Sequence, residues 1–125
     1  MTLTTLVLGG RAGAREAAIV AALTPGLATV VILEGLSDGN SALAELAPDP
    51  AGPSVLRIAP GCLCCSGKLV LRVNLNRILR RPPARLFISL ADSRHVQELR
   101  LWLSEPPYLD LLSLGDDLNV AAAQD

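Results

Sequence analysis

Five short apolar runs alternate with stretches of helical periodicity along this chain. The apolar runs are Leu3–Leu8, Ala28–Leu33, Val55–Ile58, Leu86–Leu90 and Leu109–Leu114. Most are continuous rather than alternating, which is typical of strands that are covered on both faces. Strands that alternate with helices predict a single α/β domain with three layers. Its sheet should be mostly parallel, with about five strands and right-handed crossovers.

Three helices are predicted between these strands. They span Ala14–Leu23, Lys68–Leu79 and Arg94–Leu103. The apolar stripes of the second and third helices are Leu71, Leu75, Ile78 and Leu79, and Val96, Leu99 and Leu103. Pro82-Pro83 and Pro106-Pro107 should end these two helices, and Ser93 is a candidate N-cap for the third.

The remaining segments give weaker predictions. Ser41–Leu46 suits a short helix, and Leu46–Ser54 suits a surface loop because it is rich in Pro, Ala, Asp and Gly. The tail from Gly115 onward suits either a frayed helix or a flexible end.

Composition narrows the class of protein. The 125 residues carry a net charge of −1, which gives no overall attraction for nucleic acid or membrane. Only three residues are aromatic, so base-stacking platforms are excluded. The arginines of residues 72–85 form a local basic cluster, which is most simply read as a solvated helix end.

The N-terminus and the cysteines bear on where the protein is located. Met1–Leu8 lacks the basic start of a secretory signal, and three clustered cysteines do not resemble a disulfide framework. We therefore expect a cytoplasmic protein.

Two motifs follow predicted strands, at the sheet edge where α/β proteins bind ligands. The first is a glycine-rich turn after strand one, which begins at Gly10 and contains Gly13. A phosphate-binding (Walker A) loop would end in Gly-Lys-Ser/Thr, but this chain has Arg15, Glu16 and Ala17 there. Replacing the lysine by glutamate shifts the energy of a phosphate at close range by about 8 kcal/mol at an effective dielectric near 20. We expect no triphosphate hydrolysis, although Arg15 and the helix N-terminus could still attract an anion.

The second motif holds every cysteine of the chain. Cys62, Cys64 and Cys65 follow the third predicted strand, and three thiolates suit zinc or another soft metal. His95, Asp92 or Glu34 could supply a fourth ligand. Disulfide or persulfide chemistry is an alternative, as is a role as small buried core residues.

Together these motifs resemble the nucleotide-binding domain of the CobW-type metallochaperone GTPases, relatives of HypB and UreG. Residues 7–18 (VLGGRAGAREAA) resemble that family's VxGGFLGAGKTT loop, and residues 61–66 (GCLCCS) resemble its GCxCC motif. Residues 69–72 and 108–115 also resemble family sequence. The resemblance implies a P-loop NTPase-like fold, with a metal on Cys62, Cys64 and Cys65 and a nucleotide-binding remnant at Gly10, Gly13 and Arg15.

Other family features are absent from this sequence. The Glu-Thr-Thr-Gly stretch is replaced by Ile88–Asp92, and the Asn-Glu-Phe-Gly switch survives at most around Glu34-Gly35. The chain has no Asn-Lys-x-Asp guanine motif and no family C-terminal domain, so we expect a truncated, degenerate member spanning residues 1–125.

The leading hypothesis is a pseudo-GTPase that keeps its CxCC thiol site and acts as a small zinc-binding or accessory protein. Its partners would be a second copy, an active CobW-type paralogue or a metal client, with no nucleic acid or membrane. One alternative is a residual GTP- or ATP-binding protein. Another is an interaction module whose cysteines are inert.

Overall fold

The computed structural model of this protein describes residues 1–35, 52–58, 68–91, 94 and 96–120. Its elements are β1 (Thr2–Leu8), α1 (Ala12–Ala22), β2 (Thr29–Glu34), β3 (Ser54–Ile58), α2 (Lys68–Ile78), β4 (Arg85–Ser89), α3 (Val96–Leu103), a 3-10 helix (Tyr108–Asp110), β5 (Leu112–Leu114) and β6 (Leu118–Asn119). The predicted α/β class is confirmed.

All strand pairings among the described residues are parallel. The sheet runs in the order β3-β2-β4-β1-β5, and β6 also pairs with β1. β5 lies beside the first residues of β1, with Thr2 opposite Leu112. β6 lies beside its end, with Val7 opposite Leu118. One side of β1 is therefore covered by two short strands in succession, and its other side by β4.

Helices cover both faces of the sheet, which gives the three predicted layers. One core cluster joins Leu6, Ile32 and Ile88 to residues of α2 and α3. The other joins Val7, Val31, Leu33 and Phe87 to Ile19 of α1. Alternate residues of the same strands enter the two clusters, because successive side chains of a strand point to opposite faces. This explains why the strands read as continuous apolar runs.

The predicted helical stripes are confirmed for α2 and α3. Leu71 and Leu75 of α2 are fully buried, and Leu99 and Leu103 of α3 are 1% exposed. Ile78, Leu79 and Val96 pack against the same cluster. The first helix begins at Ala12, two residues earlier than predicted, and this shift affects the site described below.

Two sequence predictions about the last third of the chain are wrong in part. The predicted strand Leu109–Leu114 begins as a 3-10 helix, and only Leu112–Leu114 forms a strand. The tail from Gly115 onward was expected to be a frayed helix or a flexible end; Leu118–Asn119 instead forms β6, Val120 is buried and helical, and residues 121–125 lie outside the described residues. Arg100 holds this segment, since its NH1 donates to the Gly115 carbonyl and to Asp117 Oδ1.

Three further predictions cannot be compared with the structure. The short helix at 41–46, most of the loop at 46–54 and the cap Ser93 lie outside the described residues. Within the described part of the chain, no helix is long and apolar enough to cross a membrane.

Candidate functional site

The topology predicts a ligand-binding crevice between the carboxyl ends of β1 and β4. These strands are neighbours, but the chain leaves β1 toward β2 and leaves β4 toward β5, on the opposite side. Ligands of open α/β sheets bind where such connections diverge. The glycine-rich turn after β1 lies at this point, as the sequence predicted.

The turn after β1 is shorter than a phosphate-binding loop. Only Gly9 and Gly10 separate the strand from Arg11, the N-cap of α1, and both glycines have positive φ values of 80° and 63°. The Arg15 amide already donates to the Arg11 carbonyl at 3.0 Å. Gly13 and the residue after it therefore lie in the first helical turn, where the phosphate-loop pattern would keep them in the loop.

Arg15 fills the crevice with its own side chain. The residue is 5% exposed, and its Nε donates to Ser89 Oγ at 2.9 Å. Its NH1 donates to the carbonyls of Gly10 at 2.7 Å and Gly9 at 3.3 Å. The guanidinium thus bonds the turn after β1 to the last residue of β4. The donors on Nε and NH1 are directed at protein oxygens.

Glu16 is buried beside Arg15. It is 1% exposed, and its Oε1 lies 3.5 Å from NH2 of Arg57 in β3. Arg57 also donates from NH1 to the Gly35 carbonyl at 3.1 Å. Glu16 stands where a phosphate-binding loop has its lysine, and it is joined to an arginine of the same chain. Ala17, where the magnesium-binding hydroxyl would stand, is exposed and carries no hydroxyl.

Glu34, the last residue of β2, lies at the same edge of the sheet. Its Oε1 accepts a 2.8 Å hydrogen bond from the Ala91 amide, just after β4. Glu34 is 5% exposed and lies opposite Ile58 in the register of β2 and β3. One of the three predicted candidates for a fourth metal ligand is thus a buried carboxylate that ties β2 to the end of β4.

The predicted metal ligands Cys62, Cys64 and Cys65 lie outside the described residues, as do His95 and Asp92. Cys62 follows the last residue of β3, Ile58, by four positions in the sequence. In the described part of the chain, no group of three or more His, Cys, Asp or Glu side chains could hold a metal ion. The donor set still suits a soft metal, because three thiols are its preferred ligands.

Of the predicted nucleotide-binding residues, Gly10 lies in the β1–α1 turn, and Gly13 and Arg15 lie in the first turn of α1. Sequence reasoning missed Ser89 and Arg57, which bind the two charged side chains of α1. The available signal was helical spacing: Arg15 and Glu16 precede the buried Ile19 by four and three residues, so they share its inward face.

Comparison of the chain with protein-family models, with curated proteins and with solved structures gave no match. The site is therefore interpreted from its own geometry.

Proposed function

We propose that this protein is a nucleotide-free, non-hydrolysing counterpart of the CobW-type P-loop proteins that binds a soft divalent metal, such as zinc. It would act in the cytoplasm as a small metal-binding or accessory protein. A second copy, an active CobW-type paralogue or a metal-receiving client are the partners that this role requires.

One observation carries the nucleotide-free part of the proposal: Arg15 occupies the crevice where a phosphate would have to bind. An incoming phosphate must compete with three hydrogen bonds to the Gly9 and Gly10 carbonyls and to Ser89. Hydrogen bonds of charged groups contribute about 1.5–3 kcal/mol each. Glu16, the next residue of α1, has a carboxylate where a phosphate-binding loop has its lysine, so the cation that would attract a phosphate is missing.

The metal-binding part rests on the thiols. Cys62, Cys64 and Cys65 would hold the ion as thiolates, and a three-ligand set leaves one position for a further ligand or a transfer partner. A tetrahedral site with three protein ligands suits a carrier, because the fourth position can be exchanged without dismantling the site. Binding would release thiol protons, so affinity should rise with pH.

A zinc titration of the reduced protein against a chromophoric chelator tests the proposal. We expect one-to-one binding that is lost in Cys64→Ser and retained in Ser66→Ala, which changes the same segment without removing a thiol. Absence of zinc binding at micromolar protein would refute the metal-binding role. Partner capture that survives replacement of all three cysteines would favour the interaction module instead.

A further inference from the structure

The outer surface of the α2 and α3 layer carries two stripes of opposite charge. We define the α2–α3 face by Val70, Val73, Arg77 and Arg80 from α2 and its end, and by Glu98, Leu101 and Glu105 from α3 and its end. All seven residues are exposed. The apolar members are well exposed for their type, at 40% for Val70, 52% for Val73 and 67% for Leu101.

Each stripe follows helical spacing. Val70, Val73 and Arg77 are three and four residues apart, and Arg80 follows three residues later. Leu101 lies between Glu98, three residues before it, and Glu105, four residues after it. Each helix thus presents apolar side chains flanked by charges of one sign.

The charge separation extends beyond these residues. Residues 68–91 carry six of the 11 lysines and arginines of the chain and no acidic residue. Residues 96–120 carry five acidic residues and one cation, Arg100, which is paired with Asp117 at 2.6 Å. A basic helix therefore lies beside an acidic one on the same side of the sheet.

The two helices are direct neighbours. The Arg72 guanidinium lies 5.9 Å from the centre of the Trp102 ring, and the Tyr108 hydroxyl lies 3.4 Å from Asn76 Oδ1. Both helices connect parallel strands, so they run in the same direction. A two-fold axis that lies in the interface and runs along the helices would place α2 of one copy parallel to α3 of the other, twice over. Such an interface is self-complementary and closed.

We propose that a second copy of this chain docks on the α2–α3 face, forming a two-fold dimer in which α2 of each copy contacts α3 of the other. The basic end of α2 faces the acidic end of α3 in the second copy, with Arg77 and Arg80 toward its Glu105, and the exposed valines face its Leu101. An anionic surface such as nucleic acid or an acidic membrane fits less well, because the glutamates beside α2 would repel it.

The size of the face sets the strength of the dimer. Helices of 11 and eight residues are about 16 and 12 Å long at 1.5 Å per residue. Such a face is smaller than the roughly 800 Å² per partner of a standard interface. We therefore expect a weak dimer whose dissociation constant rises at least about tenfold between low and high salt, as expected for exposed charges.

Sedimentation velocity on the full chain, at rising concentration and at low and high salt, tests this proposal with a charge swap. Variant one carries Arg77→Glu and Arg80→Glu, and variant two carries Glu98→Lys and Glu105→Lys. Each alone should be monomeric, because both of its helices then carry the same charge. Their equimolar mixture should dimerise again. Arg11→Glu, at the start of the helix on the opposite face of the sheet, is the control and should dimerise like the wild type.

Three outcomes would overturn the dimer. They are a wild type that remains monomeric at low salt, a dimer that survives in both variants, and natively folded variants whose mixture does not associate. Circular dichroism checks the fold of each variant. If a charge variant fails to fold, Val73→Gln with Leu101→Gln replaces it, and this apolar variant should also be monomeric.

Discussion

The Nε of Arg15 donates a 2.9 Å hydrogen bond to the Oγ of Ser89, and so joins helix α1 to the carboxyl end of strand β4. The same guanidinium holds both glycine carbonyls of the turn after β1. A side chain that differs from the phosphate-binding pattern is thus part of the packing of the crevice. Arg15 and Glu16 both make internal contacts of the protein.

Replacing Arg15 should therefore destabilise the fold itself. Arg15→Ala removes three hydrogen bonds from a buried group and leaves their acceptors unsatisfied, so we expect a loss of about 2–4 kcal/mol in the free energy of unfolding. Urea denaturation measures this loss. The matched control is Arg11→Ala: Arg11 is exposed and makes no side-chain capping bond, so the change should stay within about 0.5 kcal/mol. Equal effects of the two substitutions would show that Arg15 does not hold the crevice together.

The turn itself should be sensitive to any side chain at Gly10. Gly10 has a φ of 63°, and a Cβ there would lie 3.3 Å from Cγ1 of Val120. Gly26 has a φ of 85° with nothing within 4 Å of the added atom. Both alanine variants should lose about 1–2 kcal/mol from the left-handed backbone, and Gly10→Ala should lose more because Val120 must move. Thermal unfolding compares them; a larger loss at Gly26 would contradict the described packing of β6 and α1.

Because of Tyr108, we expect the free energy of unfolding to fall at alkaline pH. Burial raises its pKa above the usual 10.0, while the Arg72 charge and a hydrogen bond to Arg72 act in the opposite direction. Above pH 10 the unfolded chain loses this proton before the folded chain does, so the free energy of unfolding falls as pH rises toward the folded pKa. The tyrosine is the single one in the chain, so its absorbance titration reports the pKa directly.

Tyr108→Phe provides the test of that assignment. The variant should lose the part of the alkaline decline that belongs to this group, and it should change little near neutrality because the bond to Asn76 is long, at 3.4 Å. A titration at or below the ordinary tyrosine pKa would show that burial does not dominate.

Arg100 should determine whether β6 stays on the sheet. Asp117→Asn weakens its 2.6 Å ion pair with Arg100, whose side chain is 28% exposed, so the expected cost is only about 0.5–1 kcal/mol. Hydrogen exchange of the β6 amides should nevertheless accelerate. The neighbouring Asp116→Asn removes the same charge from an exposed position and should leave exchange unchanged. Similar exchange in both variants would mean that β6 does not depend on this pair.

The fold was largely predictable because most strands are buried on both faces. In β4, for example, Leu86, Phe87 and Ile88 are all at most 1% exposed, and so the run is continuous. The prediction failed where an apolar run is not buried. Leu109 and Leu111 are 52% and 41% exposed, and their run is partly a 3-10 helix. Burial of that kind depends on tertiary packing, which local pattern does not reveal.

Strand β6 was not predicted from the sequence, for a related reason. Leu118 and Asn119 form a strand only because Val7 and Leu8 of β1 offer a free parallel edge beyond the end of β5. Two residues have no periodicity of their own, so no sequence signal exists at this length.

The sequence predicted the residues that α1 contributes to the candidate site, but not their partners on the strands. The sequence identified Arg15 and Glu16 as departures from a phosphate-binding loop, and their spacing from Ile19 could have shown that they face inward. The sequence could not identify their partners. Ser89 lies 74 positions after Arg15, and Arg57 lies 41 positions after Glu16, so these residues contact α1 only because of the order of the strands in the sheet.

Calorimetric titration of GTP with magnesium into the wild-type protein tests the central claim most directly, with Arg15→Ala measured beside it. The account predicts no saturable binding to the wild type at nucleotide concentrations up to about 1 mM, a limit that corresponds to roughly 4 kcal/mol of binding free energy. Saturable micromolar binding by the wild type that is lost in Arg15→Ala would contradict it. That result would show that Arg15 leaves its protein partners to bind phosphate, and that the crevice is a working nucleotide site.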